Sequence, residues 1–137
     1  MSGPVLPQLD ELNRPFWDAC RNRVLVVQRC ACGHLRYPVV PFCPRCLSGE
    51  YVWERMSGRA EVYSFTVFRH AYSDAWRDRL PYVVALVMLD EGPTMISNVV
   101  DVAPEEVQVG LSVRVVFDRL TEEITVPCFT KAYPHTT

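Results

Sequence analysis

Cys30-Ala31-Cys32-Gly33 and Cys43-Pro44-Arg45-Cys46 are two tight cysteine pairs separated by only ten residues. Each pair offers two thiols from one turn, and two such turns side by side are what a tetrahedral zinc site requires. A segment this short has few apolar side chains to bury, so a bound ion supplies most of its folding free energy. The pattern marks a small metal-stapled module with Cys30, Cys32, Cys43 and Cys46 as ligands of a structural zinc. Four thiolates leave no coordination position open to water, which argues against a catalytic ion. The second pair has the usual two-residue spacing, and Pro44 pre-sets its turn. The first pair has a single intervening residue, with Gly33 standing where a knuckle needs a positive φ. His34 is the nearest substitute ligand but reads as a loop imidazole. The competing reading is a ribbon without its ion, held by apolar packing alone.

Upstream of the cysteines, Val24-Leu25-Val26-Val27-Gln28 reads as a strand running into the first pair. Before it, Asn13-Arg14-Pro15-Phe16-Trp17-Asp18 has the form of a helix start, with Asn13 as cap and Pro15 in the first turn. Phe16, Trp17, Cys20 and Val24 give that helix a short apolar stripe, and a helix this short must dock on something to persist. Cys20 and Cys128 lie outside the pairs and read as small buried residues.

Downstream, strands are expected over about 51–55, 60–68, 82–89, 95–100, 113–117 and 124–129. Each is rich in β-branched or aromatic residues and bounded by turn signals such as Ser57-Gly58 and Glu91-Gly92-Pro93. The 83–88 run is apolar on both faces, as in a central barrel strand. Ala103-Pro104-Glu105-Glu106-Val107 supplies about one helical turn between the third and fourth barrel strands. Five main strands with a helical connection there point to a small Greek-key barrel of the OB type, with another small barrel or sandwich as the alternative.

The connection 69–81 is dense in aromatics and arginine: His70, Tyr72, Trp76, Arg77 and Arg79 fall within it. It has two readings, a binding surface or a plug folded over the barrel mouth with Trp76 at its centre. No G-x-S-x-G, glycine-rich phosphate loop or H-E-x-x-H is present, and no histidine pairs visibly with a nucleophile. The residues thus name no catalytic group. The 137-residue chain is 49% hydrophobic and 22% charged, with a formal charge of −2, an ordinary globular balance. That charge gives no general pull toward nucleic acid or anionic membrane, so single-strand binding by the barrel is the minority reading. No apolar run is long enough to span a bilayer, and 1–12 lacks the form of a signal peptide, so a cytoplasmic protein is expected.

Taken in order, several stretches resemble a known family. They are Phe16-Trp17, Val27-Gln28-Arg29-Cys30, Cys32-Gly33-His34-Leu35-Arg36-Tyr37-Pro38 and Cys43-Pro44-Arg45-Cys46, then Ser57-Gly58-Arg59-Ala60-Glu61-Val62-Tyr63-Ser64-Phe65-Thr66, Pro81-Tyr82-Val83-Val84-Ala85-Leu86-Val87 and Val109-Gly110-Leu111-Ser112-Val113. Over about 14–130 the chain resembles the acyl-CoA-associated zinc-ribbon/OB-fold proteins, long catalogued as a domain of unknown function. The resemblance implies a mainly β chain: lead and helical arm at 1–26, rubredoxin-like zinc ribbon at 27–50, five-stranded OB-fold barrel at 51–131 and tail at 132–137. It also implies a non-catalytic accessory subunit that docks on a thiolase-fold enzyme and helps form its acyl-CoA channel. The partner's reaction is then retro-aldol cleavage of a steroid-type side chain or acyl transfer, with a MaoC-like hydratase as a further partner. The one-residue spacing of the first cysteine pair departs from the family pattern. Phe16 and Trp17 become a docking element or a cover for the ribbon, and His70, Tyr72, Trp76, Arg77 and Arg79 become contacts to the partner or the CoA thioester. Phosphates of CoA would call for arginines such as Arg69, Arg77 or Arg79. The alternative stays a free-standing, single-stranded nucleic-acid-binding OB module.

Overall fold

A computed structural model describes residues 8–69 and 80–132. The helix α1 spans Arg14–Arg21, one residue after the expected cap. Asn13 makes no side-chain cap to it; instead Asp10 and Asn13 each accept the other's backbone N–H through a side-chain oxygen, at 2.7 and 2.9 Å. This reciprocal pair closes a turn over 10–13 that leads into the helix, and the Arg14 N–H donates to the Asp10 carbonyl at 3.0 Å.

Three antiparallel strands build the ribbon sheet: β1 (Val26–Cys30), β2 (Leu35–Arg36) and β3 (Tyr51–Arg55), in the order β2-β1-β3. β3 falls in the expected 51–131 segment, but its hydrogen bonds run to β1, from Val26 opposite Arg55 to Cys30 opposite Tyr51. Beyond that ladder, the Met56 N–H donates to the Leu25 carbonyl at 2.8 Å, which carries the sheet to the edge of the barrel.

Five strands close the barrel: β4 (Arg59–Phe68), β5 (Tyr82–Leu89), β6 (Thr94–Val99), β7 (Ser112–Arg119) and β8 (Thr125–Lys131). The order is β4-β5-β6-β8-β7 and returns to β4, with β6 and β8 pairing in parallel at Val99 and Phe129. A 3-10 turn at Pro104–Glu106 fills the connection between β6 and β7. This is the Greek-key order of an OB fold, and the strand expectations held to within a few residues.

Alternation sets the inside. On β5, Val83, Ala85, Val87 and Leu89 are buried while Val84 and Leu86 are half-buried and Met88 is exposed. A β-bulge at Tyr63 breaks the register between Val62 and Ser64, bending the ten-residue β4 around the barrel. Gly58, at the join of ribbon and barrel, has φ +85°, and a Cβ there would lie 2.5 Å from Val115 Cγ1. Its carbonyl accepts the Val115 N–H at 2.8 Å, so the backbone approach closing the join admits only glycine.

One apolar core runs through both parts. Phe16, Cys20, Leu25, Val27 and Met56 continue into Ala60, Val62, Val87, Val113 and Phe129. α1 packs on β8, β1 and β7, so the helix spans the ribbon and the barrel. No helix among the described residues is long and apolar enough to cross a membrane.

Candidate metal centre

The two cysteine turns meet at the ribbon tip. The sulfurs of Cys30, Cys32, Cys43 and Cys46 all lie within 4.8 Å of one another. Cys30 Sγ is 3.2 Å from Cys46 Sγ, and Cys32 Sγ is 3.8 Å from Cys43 Sγ. A tetrahedral ion with about 2.3 Å bonds to sulfur needs edges of about 3.8 Å. The cluster has the right donors, number and spacing for one zinc.

The short spacing of the first pair is absorbed by its turn. Gly33 N–H donates to the Cys30 carbonyl at 2.8 Å, closing a turn of four residues. In the second pair the Leu47 N–H donates to the Cys43 carbonyl at 2.9 Å, closing one of five. Each turn ends in a residue with positive φ, +93° at Gly33 and +63° at Leu47. Two turns of different length thus present four sulfurs to one point. His34 is not part of the cluster.

The ribbon is braced from behind by two polar side chains, both fully buried. Gln28 donates to the Val40 carbonyl and accepts the Val40 N–H, each at 2.9 Å, pinning the 37–42 loop to β1. Arg36 donates through Nη2 to the carbonyls of Ser48 and Glu50, at 3.0 and 2.7 Å. The Arg36 guanidinium beside Cys30, aided by the Cys32 backbone N–H, draws the Cys30 thiol down to about 6. The Ser48 backbone N–H works to lower the Cys46 thiol, but the Cys30 sulfur claims its hydrogen bond and it ends pushed up to about 12.

Neither Gln28 nor Arg36 stands out in the sequence as a brace. Gln28 is the polar end of an apolar run, a usable signal; Arg36 stands between Leu35 and Tyr37 as a lone arginine, a residue type that is ordinarily solvated.

Phe16 is 2% exposed, lying edge-on to Trp17 with ring centroids 4.9 Å apart and 5.9 Å from the Tyr37 ring. It lies in the core shared by ribbon and barrel. Trp17 is half-buried and lines a shallow hollow with Leu12, Tyr37 and Val39. Cys20 and Cys128 are buried, and burial pushes the Cys20 thiol up to about 12. His70, Tyr72, Trp76, Arg77 and Arg79 lie outside the described residues. Arg69, just before them, reaches Glu105 Oε1 at 3.4 Å. A hollow of about 230 Å³ opens at that end of the barrel, lined by Tyr82, Val99, Val102 and Pro104 together with the polar Asn98 and Asp101.

A four-cysteine ribbon sharing its core with a closed OB barrel defines a class of protein, and both halves are matched separately. Residues 17–52 match the rubredoxin-like zinc ribbon domain of ChsH2, and residues 53–118 match the ChsH2 C-terminal OB-fold domain. The DUF35 domain-containing scaffold protein of Pyrococcus furiosus is 34% identical over 108 residues, covering 78% of this chain and 79% of that protein. The chain belongs to the DUF35 family. It is also 37% identical to the probable enoyl-CoA hydratase alpha subunit of Thermomonospora curvata over 93% of this chain, but spans only 40% of that relative. The 3-oxo-4,17-pregnadiene-20-carboxyl-CoA hydratase alpha subunit of Mycobacterium tuberculosis is 37% identical over 74% of this chain and 32% of its own length. Among solved structures, a chain of the Ltp2-ChsH2(DUF35) aldolase superposes with a TM-score of 0.84 at 36% identity, covering 93% of this chain and 100% of that one.

Proposed function

We propose that this chain is a cytoplasmic, non-catalytic accessory subunit that docks on a thiolase-fold acyl-CoA enzyme and completes its acyl-CoA channel. Cys30, Cys32, Cys43 and Cys46 hold a structural zinc that keeps the ribbon rigid at the docking face. The observation that carries the reading is the full-length likeness to the DUF35 chain of an aldolase. Relatives named as CoA hydratase alpha subunits support a MaoC-like hydratase as a second partner and a steroid-type acyl-CoA as substrate. Retro-aldol carbon–carbon cleavage is therefore the leading reaction, with acyl transfer behind it.

The residues divide the work. The zinc contributes a fixed crosslink and no chemistry to the substrate. The shared core holds ribbon and barrel at one angle, so surfaces on both can meet a partner together. His70, Tyr72, Trp76, Arg77 and Arg79 are the residues we assign to contact with the thioester or the partner. Rigid placement of a thioester raises turnover in the partner without a nucleophile here.

Co-expression with a thiolase-fold acyl-CoA enzyme tests the reading. A complex of fixed stoichiometry that survives gel filtration in about 0.5 M salt is expected, since an interface of this kind is not held by screened surface charge. A chain that elutes alone and instead binds single-stranded DNA in a salt-sensitive way would overturn it in favour of the nucleic-acid-binding alternative.

A further inference from the structure

Arg36 is the largest fully buried side chain among the described residues, at 1% exposure. A guanidinium does not give up its proton in a protein, so a full positive charge sits inside the ribbon. No carboxylate is among its hydrogen-bond partners: Nη2 serves two backbone carbonyls, and the Tyr51 ring lies 5.1 Å from the guanidinium carbon. Nε and Nη1 have no hydrogen-bond partner at all. A buried charge with two idle donors is a heavy penalty unless something negative faces it. Its Nη2 shares the Ser48 carbonyl with the Cys43 N–H, and Tyr51, whose ring lies against it, is the strand partner of Cys30, so the charge lies beside the four-cysteine cluster.

Four thiolates around a divalent ion carry a net charge of −2, and two of them, Cys30 and Cys43, are buried. We propose that Arg36 is the outer-shell counter-cation of this centre, with Nε and Nη1 the donors it offers to the cysteine sulfurs. It is a positioning residue: it offsets the dianion, draws electron density from the sulfurs and ties the post-knuckle carbonyls of Ser48 and Glu50 to the same point. The arrangement keeps the thiolates from being lost to competing chelators or oxidants, which suits a zinc meant as permanent scaffold. The proposal rests on the four-cysteine ligand assignment above, and the two fail separately in the experiment below.

The full chain is purified as wild type, Arg36→Met and Arg36→Lys, and zinc content, chelator competition at pH 7.5 and the cobalt(II)-substituted spectrum are measured. The wild type should carry one zinc per chain. Arg36→Met should bind zinc 10- to 100-fold more weakly, the usual cost of losing an outer-shell partner. Its sulfur-to-cobalt charge-transfer band should move to lower energy, because sulfurs that accept no hydrogen bond give up electrons more readily. Arg36→Lys keeps the charge without the forked donors, so its affinity and band should fall between the two. It also serves if the methionine variant does not fold. A wild type without zinc sinks the ligand assignment and the proposal together. One zinc per chain with affinity and band unchanged in the variants sinks the proposal alone.

Discussion

Removing the zinc, or replacing Cys43 by serine, dissolves the ribbon tip while leaving the barrel folded. The reason is the supply of buried apolar side chains. From 31 to 50, only Arg36 and Cys43 are buried, and Leu35, Tyr37 and Val39 are only half-buried against the core, so the turns carrying the ligands have little apolar burial to hold them. Structural zinc in such modules contributes about 10–16 kcal/mol of apparent binding free energy at neutral pH, and here that term must hold nearly all of the tip. Cys43 is 0% exposed, and its sulfur also accepts the Arg45 N–H at 3.4 Å. A smaller, harder serine oxygen there loses the ion and the turn together. Below the tip, Leu25, Val27 and Met56 belong to the barrel's core, so unfolding should stop near β1 and β3. Hydrogen exchange on chelator-treated and Cys43→Ser protein checks this. Protection should vanish over 31–50 and persist in the barrel strands. An apo protein with a protected tip would mean that packing alone holds the ribbon.

Phe16→Ala should lower stability by about 3–5 kcal/mol, the usual cost of emptying a fully buried phenylalanine site. The melting temperature should fall by on the order of 10–20 °C in a chain of this size. Phe16 and Cys20 are the buried residues of α1, and they meet Tyr37 from the ribbon as well as the shared core. The loss should therefore be felt by ribbon and barrel together, as one cooperative transition at a lower temperature. Trp17→Ala, at a half-buried position over an open hollow, should cost much less. A Phe16→Ala variant that melts like the wild type but fails to bind its partner would mean that the helix is a docking arm after all.

Much of this architecture is written in local pattern. The barrel strands follow from alternation and from turn pairs such as Ser57-Gly58, because a strand's period of two shows within a few residues. The four cysteines announce their own cluster, since ligand chemistry permits few other uses of that spacing. Long-range placement is harder to see. That β3 pairs with β1 depends on which edge the ribbon leaves free, and nothing in Tyr51-Val52-Trp53-Glu54-Arg55 says so. Arg36 looks like any solvated arginine until the knuckles fold around it, because its burial is decided by Ser48, Glu50 and Tyr51, 12 or more residues away. Phe16 carries the same ambiguity: an apolar stripe on a short helix looks alike whether it closes a core or waits for a partner. The contacts expected of His70, Tyr72, Trp76, Arg77 and Arg79 rest on sequence alone.

The central claim is that chemistry takes place in a partner and that this chain makes it possible. The direct measurement is turnover of a steroid-type acyl-CoA by the thiolase-fold protein, alone and with this chain added at equal concentration. The account predicts negligible turnover by either chain alone, and kcat/KM rising by two or more orders of magnitude on mixing, on the scale expected when a reactant is held in place. A partner that works as well alone, or activity in the isolated chain, would contradict it.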